Sequence, residues 1–152
     1  MPATACVRDG RGVAEVVVPR PLAVVFDYVS DLRHMVIWWP EHQSYRRLLG
    51  SGGPGTLYGF TMQRGPLPFA PPFGGLTVVT VRERPARFAY RILAPGLLTC
   101  MSYAFAESPA GTRISLESRS AAYRLAFFAR EFPGHIAPAL DALAATLTSE
   151  GS

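Results

Sequence analysis

The side chains best suited to chemistry in this sequence are three tyrosines and one arginine, and all fall on strand-like stretches. Tyr58, Phe60 and Met62 alternate along Thr56–Gln63, Phe88, Tyr90 and Ile92 along Arg87–Leu93, and Met101, Tyr103 and Phe105 along Leu97–Ala106. Residues two apart on a strand share a face, so each stretch sets a tyrosine among bulky apolar neighbours. Along Thr112–Arg119, Ile114, Leu116 and Ser118 oppose Arg113, Ser115, Glu117 and Arg119. The three charges mark that second side as the solvent face, and the bulky sets are assigned inward. A buried phenol needs a hydrogen-bond partner. Tyr58, Tyr90 and Tyr103 can find one within the core or in the oxygen of a bound apolar ligand, and both readings stay open. Arg64 continues the parity of Met62. On an extended strand its guanidinium points inward, a fixed and always-charged donor able to hold an enolate or a carboxylate. On a strand that stops at Gln63 it faces solvent.

The remaining polar candidates are weaker. His34, His42 and His135 are the only histidines, they show no metal-ligand spacing, and Cys6 and Cys100 do not supply one. Neither a metal nor a cofactor is expected. His34 and His42 flank Trp38-Trp39; either could act as a general base near neutral pH or lie on the surface. Adjacent tryptophans point in different directions, so one can join the core while the other lines the mouth of a cavity. Asp31 reads as a helix cap, and Glu117 with Arg113 or Arg119 as a solvent-face ion pair. The turn Gly50-Ser51-Gly52-Gly53-Pro54-Gly55 precedes a strand rather than a helix, which argues against a phosphate cradle.

These residues must be held by a definite set of elements. Gly12–Val18 is β-branched and strand-like, and Pro19 and Pro21 stop it. Pro21 suits the first turn of a helix whose apolar face is Leu22, Val25, Phe26 and Val29. Ser30 or Asp31 then caps a second short helix through Met35 and Ile37, ended by Pro40. Six strands follow: Gln43–Leu49, Thr56–Gln63, Leu76–Arg84, Arg87–Leu93, Leu97–Ala106 and Thr112–Arg119. Connections as tight as Pro85-Ala86 and Ser108-Pro109-Ala110-Gly111 require antiparallel neighbours. Gly65–Gly75 carries four prolines and three glycines and is read as irregular. Its Leu67, Phe69 and Phe73 make it either a lid over a cavity mouth or a loop tucked on the core. Leu125, Phe128, Ala129 and Phe132 form one helical face, Pro133-Gly134 interrupts it, and Ile136, Leu140, Leu143 and Leu147 resume it. Two helical pieces or one kinked helix are expected.

The outcome is an α+β fold. A seven-stranded curved antiparallel sheet wraps a long C-terminal helix, with one or two short helices after the first strand. Such a sheet has more concave apolar face than one helix covers, and the surplus becomes a cavity. Its expected lining is Trp38, Trp39, Tyr58, Phe60, Met62, Phe69, Phe73, Tyr90, Met101 and Phe128. Arg64 and Tyr103 are the candidate catalytic groups.

The 152 residues fit one domain over 12–148, with 1–11 a loose extension containing Cys6. A hydrophobic fraction of 49% against 17% charged residues excludes disorder. The net charge of +4 rests on arginine alone and is scattered along the chain, which argues against a nucleic-acid-binding surface. The lack of lysine fits the codon usage of a GC-rich bacterial genome. The N-terminus lacks the pattern of a signal peptide and no apolar run is long enough to span a bilayer, so a cytoplasmic location without membrane insertion is expected. An exposed sheet edge could pair two copies into a homodimer.

The order of elements resembles the START-like (SRPBCC) superfamily with its helix-grip fold, and within it the polyketide cyclase/dehydrase family. The matching segments are VAEVVVPRPLAVVFDYVSDLRHMVIWWP, GSGGPGT, PARFAYRI and AFAESPAGTRISLESR with the helix after it, together spanning Val13 to Leu147. The resemblance implies an apolar small-molecule ligand. It points first to a polyketide cyclase or dehydratase of bacterial secondary metabolism, in which Arg64 would stabilise a developing enolate and the Tyr103 hydroxyl would orient the oxygenated ligand. The alternative is a non-catalytic carrier of a lipid, sterol or quinone, and a third reading is an interaction module with a filled interior. A fold of this kind hosts many functions.

Overall fold

The computed structural model describes residues 2–39, 41–63, 73–94, 97–124 and 126–150, the side chains of 97, 126–128 and 131 excepted. Strands β1 (Thr4–Arg8) and β2 (Arg11–Val18) open the chain, followed by helix α1 (Leu22–Val29), a 3-10 turn (Leu32–His34) and the short helix α2 (Met35–Trp38). Strands β3 (His42–Leu49), β4 (Leu57–Met62), β5 (Phe73–Glu83), β6 (Arg87–Ala94), β7 (Leu97–Ser108) and β8 (Gly111–Ser120) form a meander. A second 3-10 turn (Ala121–Arg124) leads to the long helix α3 (Ala126–Glu150). All strands join one curved antiparallel sheet in the order β1-β2-β8-β7-β6-β5-β4-β3.

The sheet has eight strands rather than the expected seven. The additional strand is β1, in the stretch read as a loose extension. Asp9 and Gly10 turn the chain with φ of 52° and 73°. That is the geometry of a two-residue hairpin, and an Asp-Gly pair supplies it at little steric cost. The hairpin is fastened from outside the sheet, because the Ala3 amide donates to Asp141 Oδ1 of α3 at 2.7 Å.

Strand β5 begins at Phe73, inside the segment read as irregular to Gly75. Gly74 and Gly75 pair with Thr61 and Phe60 of β4. The glycine is needed there: a Cβ on Gly75 would lie 2.6 Å from the Leu93 carbonyl oxygen and 2.9 Å from the Phe60 ring.

Alternation places the inner face as the sequence indicates. Ala14, Val16 and Val18 of β2, Tyr58 and Phe60 of β4, Phe88 and Tyr90 of β6, Met101, Tyr103 and Phe105 of β7, and Ile114 and Leu116 of β8 are buried. The outer charges make cross-strand ion pairs, Arg113 with Glu15 at 3.2 Å and Arg11 with Glu117 at 3.4 Å.

Helix α1 buries Val25, Phe26 and Val29. Asp31 caps the following 3-10 turn by accepting from the Arg33 amide. Helix α3 runs as one helix through Pro133 and Pro138, so of the two expected forms the division into separate pieces does not occur. Its Ile136, Ala139, Leu140, Leu143 and Leu147 are buried on one face, and it packs chiefly on β1 and β2. Burial of that stripe outweighs the backbone bonds the prolines forfeit. The Phe132 ring lies on the bare backbone of Gly12, where a Cβ would come within 2.7 Å of it. No helix among the described residues is long and apolar enough to cross a membrane.

Candidate functional site

The concave face carries two connected groups of rings. The first is built by β6 and β7, with Tyr90 and Tyr103 centred 5.9 Å apart and flanked by Phe88 and Phe105. Its hydroxyls satisfy one another. Tyr90 donates to Met35 Sδ at 3.9 Å and lies 3.0 Å from the Tyr103 hydroxyl. A thioether sulfur only accepts, so Tyr103 donates to Tyr90, and the chain runs Tyr103 to Tyr90 to Met35. Burial pushes both phenols well above the ordinary tyrosine range, and they stay protonated.

The second group is built by β3, β4 and the first residue of β5. Tyr45 stacks on Phe60 at 5.5 Å, Phe60 meets Phe73 edge-on at 6.2 Å, and Tyr45 meets Tyr58 at 6.1 Å. The Tyr45 hydroxyl lies 2.9 Å from Thr77 Oγ1, and burial raises its pKa as well. Tyr58 is also buried, and its phenol is raised chiefly by desolvation.

The turn from α2 into β3 adds Trp38, Trp39 and His42. Trp38 is 1% exposed and His42 6% exposed, while Trp39 is partly buried against the core. Their rings touch in sequence, Trp38 to Trp39 at 5.7 Å and Trp39 to His42 at 5.2 Å, and His42 continues to Tyr45 at 5.3 Å. Burial pushes the His42 pKa from 6.5 to about 4, with the Trp39 backbone opposing the shift, so the ring is neutral at physiological pH.

The other two histidines are engaged elsewhere. His34 Nδ1 lies 2.8 Å from the Tyr28 carbonyl oxygen, and the ring stacks on Tyr28 at 4.2 Å. His135 of α3 pairs with Glu41, tying the helix to the α2–β3 turn.

Of the residues singled out from the sequence, Trp38, Tyr58, Phe60, Tyr90, Met101 and Tyr103 are buried, and Trp39, Met62 and Phe73 are packed against them. Arg64 and Phe69 lie outside the described residues, as does most of the proline-rich segment, and so does the side chain of Phe128. His42 and Tyr45 were not foreseen as interior residues. They are three apart, a spacing that strand alternation assigns to opposite faces. A register shift between His42 and Ser44 turns both inward.

A curved antiparallel sheet gripping a C-terminal helix defines a START-like, helix-grip protein. The chain belongs to the family described as polyketide cyclase / dehydrase and lipid transport, whose model matches residues 10–148. No curated protein matches the chain. Among solved structures it is similar to protein Ms6760 from Mycobacterium smegmatis, at 18% identity and a TM-score of 0.74, covering 98% of this chain and 99% of that one. A protein from Rhodobacter sphaeroides matches at 14% identity and a TM-score of 0.75, covering 98% and 99%. TTHA0849 from Thermus thermophilus matches at 14% identity and a TM-score of 0.75, covering 93% and 99%. At these identities the likeness is one of fold.

Proposed function

We propose that this chain binds an apolar small molecule between the concave face of its sheet and α3, and that binding rather than proton transfer is its principal task. The aromatic surface running from Trp38 through Tyr45 and Phe60 is the observation that carries this reading. Flat rings of this kind offer large contact area to an apolar or polycyclic ligand. The interior phenols support a binder over an acid catalyst, because Tyr103 and Tyr90 are bonded to each other and burial makes both weaker acids. A lipid, sterol or quinone carrier fits these features.

A second reading, a polyketide cyclase or dehydratase acting through Arg64 and Tyr103, draws support from the family's description and from the interior position of the Tyr103 phenol. Native mass spectrometry of the purified protein, with extraction of any bound molecule, separates the two. A fatty acid, sterol or quinone supports the carrier. An oxygenated polycyclic or polyene molecule supports the cyclase, and Tyr103→Phe should then abolish its turnover while leaving the fold intact. A protein that carries nothing and fails to bind an apolar fluorescent probe rules out both.

A further inference from the structure

Most interior polar side chains among the described residues have partners. Tyr45, Tyr90, Tyr103, Thr77 and Ser118 all make side-chain hydrogen bonds. Trp38 Nε1, Trp39 Nε1 and His42 Nδ1 are buried and have none. Tyr28 and Ser108 each leave one buried hydroxyl unpaired as well, but only these three nitrogens belong to rings in a contiguous run. Buried polar atoms without partners are uncommon, and these three fall on residues whose rings are in contact.

The backbone of the turn does not supply a complement to the indoles, and only the Trp39 backbone approaches the His42 ring. The Trp39 amide donates to the Met35 carbonyl, the His42 amide to the Trp39 carbonyl, and the Gln63 amide to the Glu41 carbonyl. What remains unpaired is the side chains, and an indole N–H can only donate.

We infer that the Trp38–Trp39–His42 corner recognises the polar end of the ligand, and that this end is an uncharged carbonyl oxygen, as in a ketone, ester or quinone. The inference rests on the binding function proposed above and gives it a chemical class. Two indole donors require an acceptor. The three groups are neutral, the imidazole included. Glu41, next to His42 in the chain, is an acid already paired with His135. Nothing in this set compensates the burial of a carboxylate, whereas a carbonyl needs only the donors.

The two tryptophans are the only ones in the sequence, so intrinsic fluorescence and the two indole N–H signals of an NMR spectrum report from this corner alone. The protein is titrated with acetylnaphthalene, ethylnaphthalene and naphthoate, which share a ring system and differ in the polar end. The ketone should bind roughly five- to tenfold more tightly than the hydrocarbon and shift at least one indole N–H downfield. Naphthoate should bind more weakly than the ketone. Trp39→Phe should lower the affinity for the ketone by more than the affinity for ethylnaphthalene, and a preference for the ketone that survives takes Trp39 out of the site. Trp38 is a core residue, so the wild-type NMR titration tests its part without a substitution. Equal binding of ketone and hydrocarbon with both indole signals unmoved overturns the inference and leaves the binding function standing. Tighter binding of naphthoate overturns the assignment of an uncharged end. Failure of all three compounds to bind removes the binding function, and the inference with it.

Discussion

Removing one hydroxyl from the Tyr103–Tyr90–Met35 chain should matter more at one end than at the other. Tyr103 donates to Tyr90 at 3.0 Å, and Tyr90 passes its own proton to the Met35 sulfur at 3.9 Å. Tyr90→Phe deletes the only acceptor of the Tyr103 proton and orphans a hydroxyl on a residue 1% exposed. An unpaired buried hydroxyl costs about 1–3 kcal/mol. Taking about 2 kcal/mol, a chain of this length should lose roughly 4–8 °C of melting temperature. Tyr103→Phe leaves the Tyr90 proton on the sulfur and should cost about 1 kcal/mol or less. The double variant has no orphaned donor. It should therefore be more stable than Tyr90→Phe alone, with a coupling of about 1 kcal/mol or more in a double-mutant cycle. Urea unfolding of the four proteins, followed by tryptophan fluorescence, measures every corner of the cycle. Additive losses, or a Tyr103→Phe variant less stable than Tyr90→Phe, would refute the direction of donation and the reasoning built on it.

Other perturbations give separate readings. Gly12→Ala puts a methyl within 2.7 Å of the Phe132 ring and should destabilise by about 1–3 kcal/mol; Phe132→Leu in the same chain should recover part of that in thermal unfolding. Gly111→Ala combines a φ of 135° with a Cβ 2.2 Å from the Val18 carbonyl and should cost about 3 kcal/mol, read as a lower urea midpoint. His42 has its pKa depressed from 6.5 to about 4 in the fold, so the unfolded chain binds the extra proton first as pH falls. Its stabilising contribution is complete above pH 6.5 and is lost as the pH drops toward 4, by about 3 kcal/mol in all. His42→Phe should flatten that part of a stability–pH profile, whereas the depressed carboxyls of Asp27 and Asp31 act only as the pH falls below the ordinary aspartate value of 3.8.

Much of the framework was legible because strands declare themselves by alternation. The charges Arg113, Glu117 and Arg119 fix which side of β8 faces water, and antiparallel pairing carries that choice across to β7 and β6. Strand β1 was missed because Ala5 and Cys6 lack strand character, although the Asp9-Gly10 turn signal was present. Whether α3 is one helix or two pieces stayed open at Pro133, because local propensity says nothing of the apolar stripe beyond it, which the sheet buries. The site itself was only half legible. Aromatic strand residues appear in a periodic pattern, but His42 reaches the interior through a register shift, and a shift of that kind leaves no mark on composition or spacing. The pairing of Tyr90 with Tyr103 follows from the β6–β7 register, which sets Phe88 opposite Tyr103 and Tyr90 opposite Met101, and needed coordinates.

Helix α3 closes the sheet from far along the chain. The Ala3 amide reaches Asp141 across 138 residues, and the Arg20 guanidinium reaches the Leu147 carbonyl across 127. On a ribosome the whole sheet, from β1 to β8, precedes the helix that covers it. At typical elongation rates the final 25 residues of that helix take on the order of one to five seconds to make. For that interval the concave face is an open, half-finished surface rather than an interior. A nascent chain of this design must either be shielded by a chaperone or fold its sheet late, and a molecule that fits the face could be enclosed as the helix arrives instead of having to find a way in afterwards.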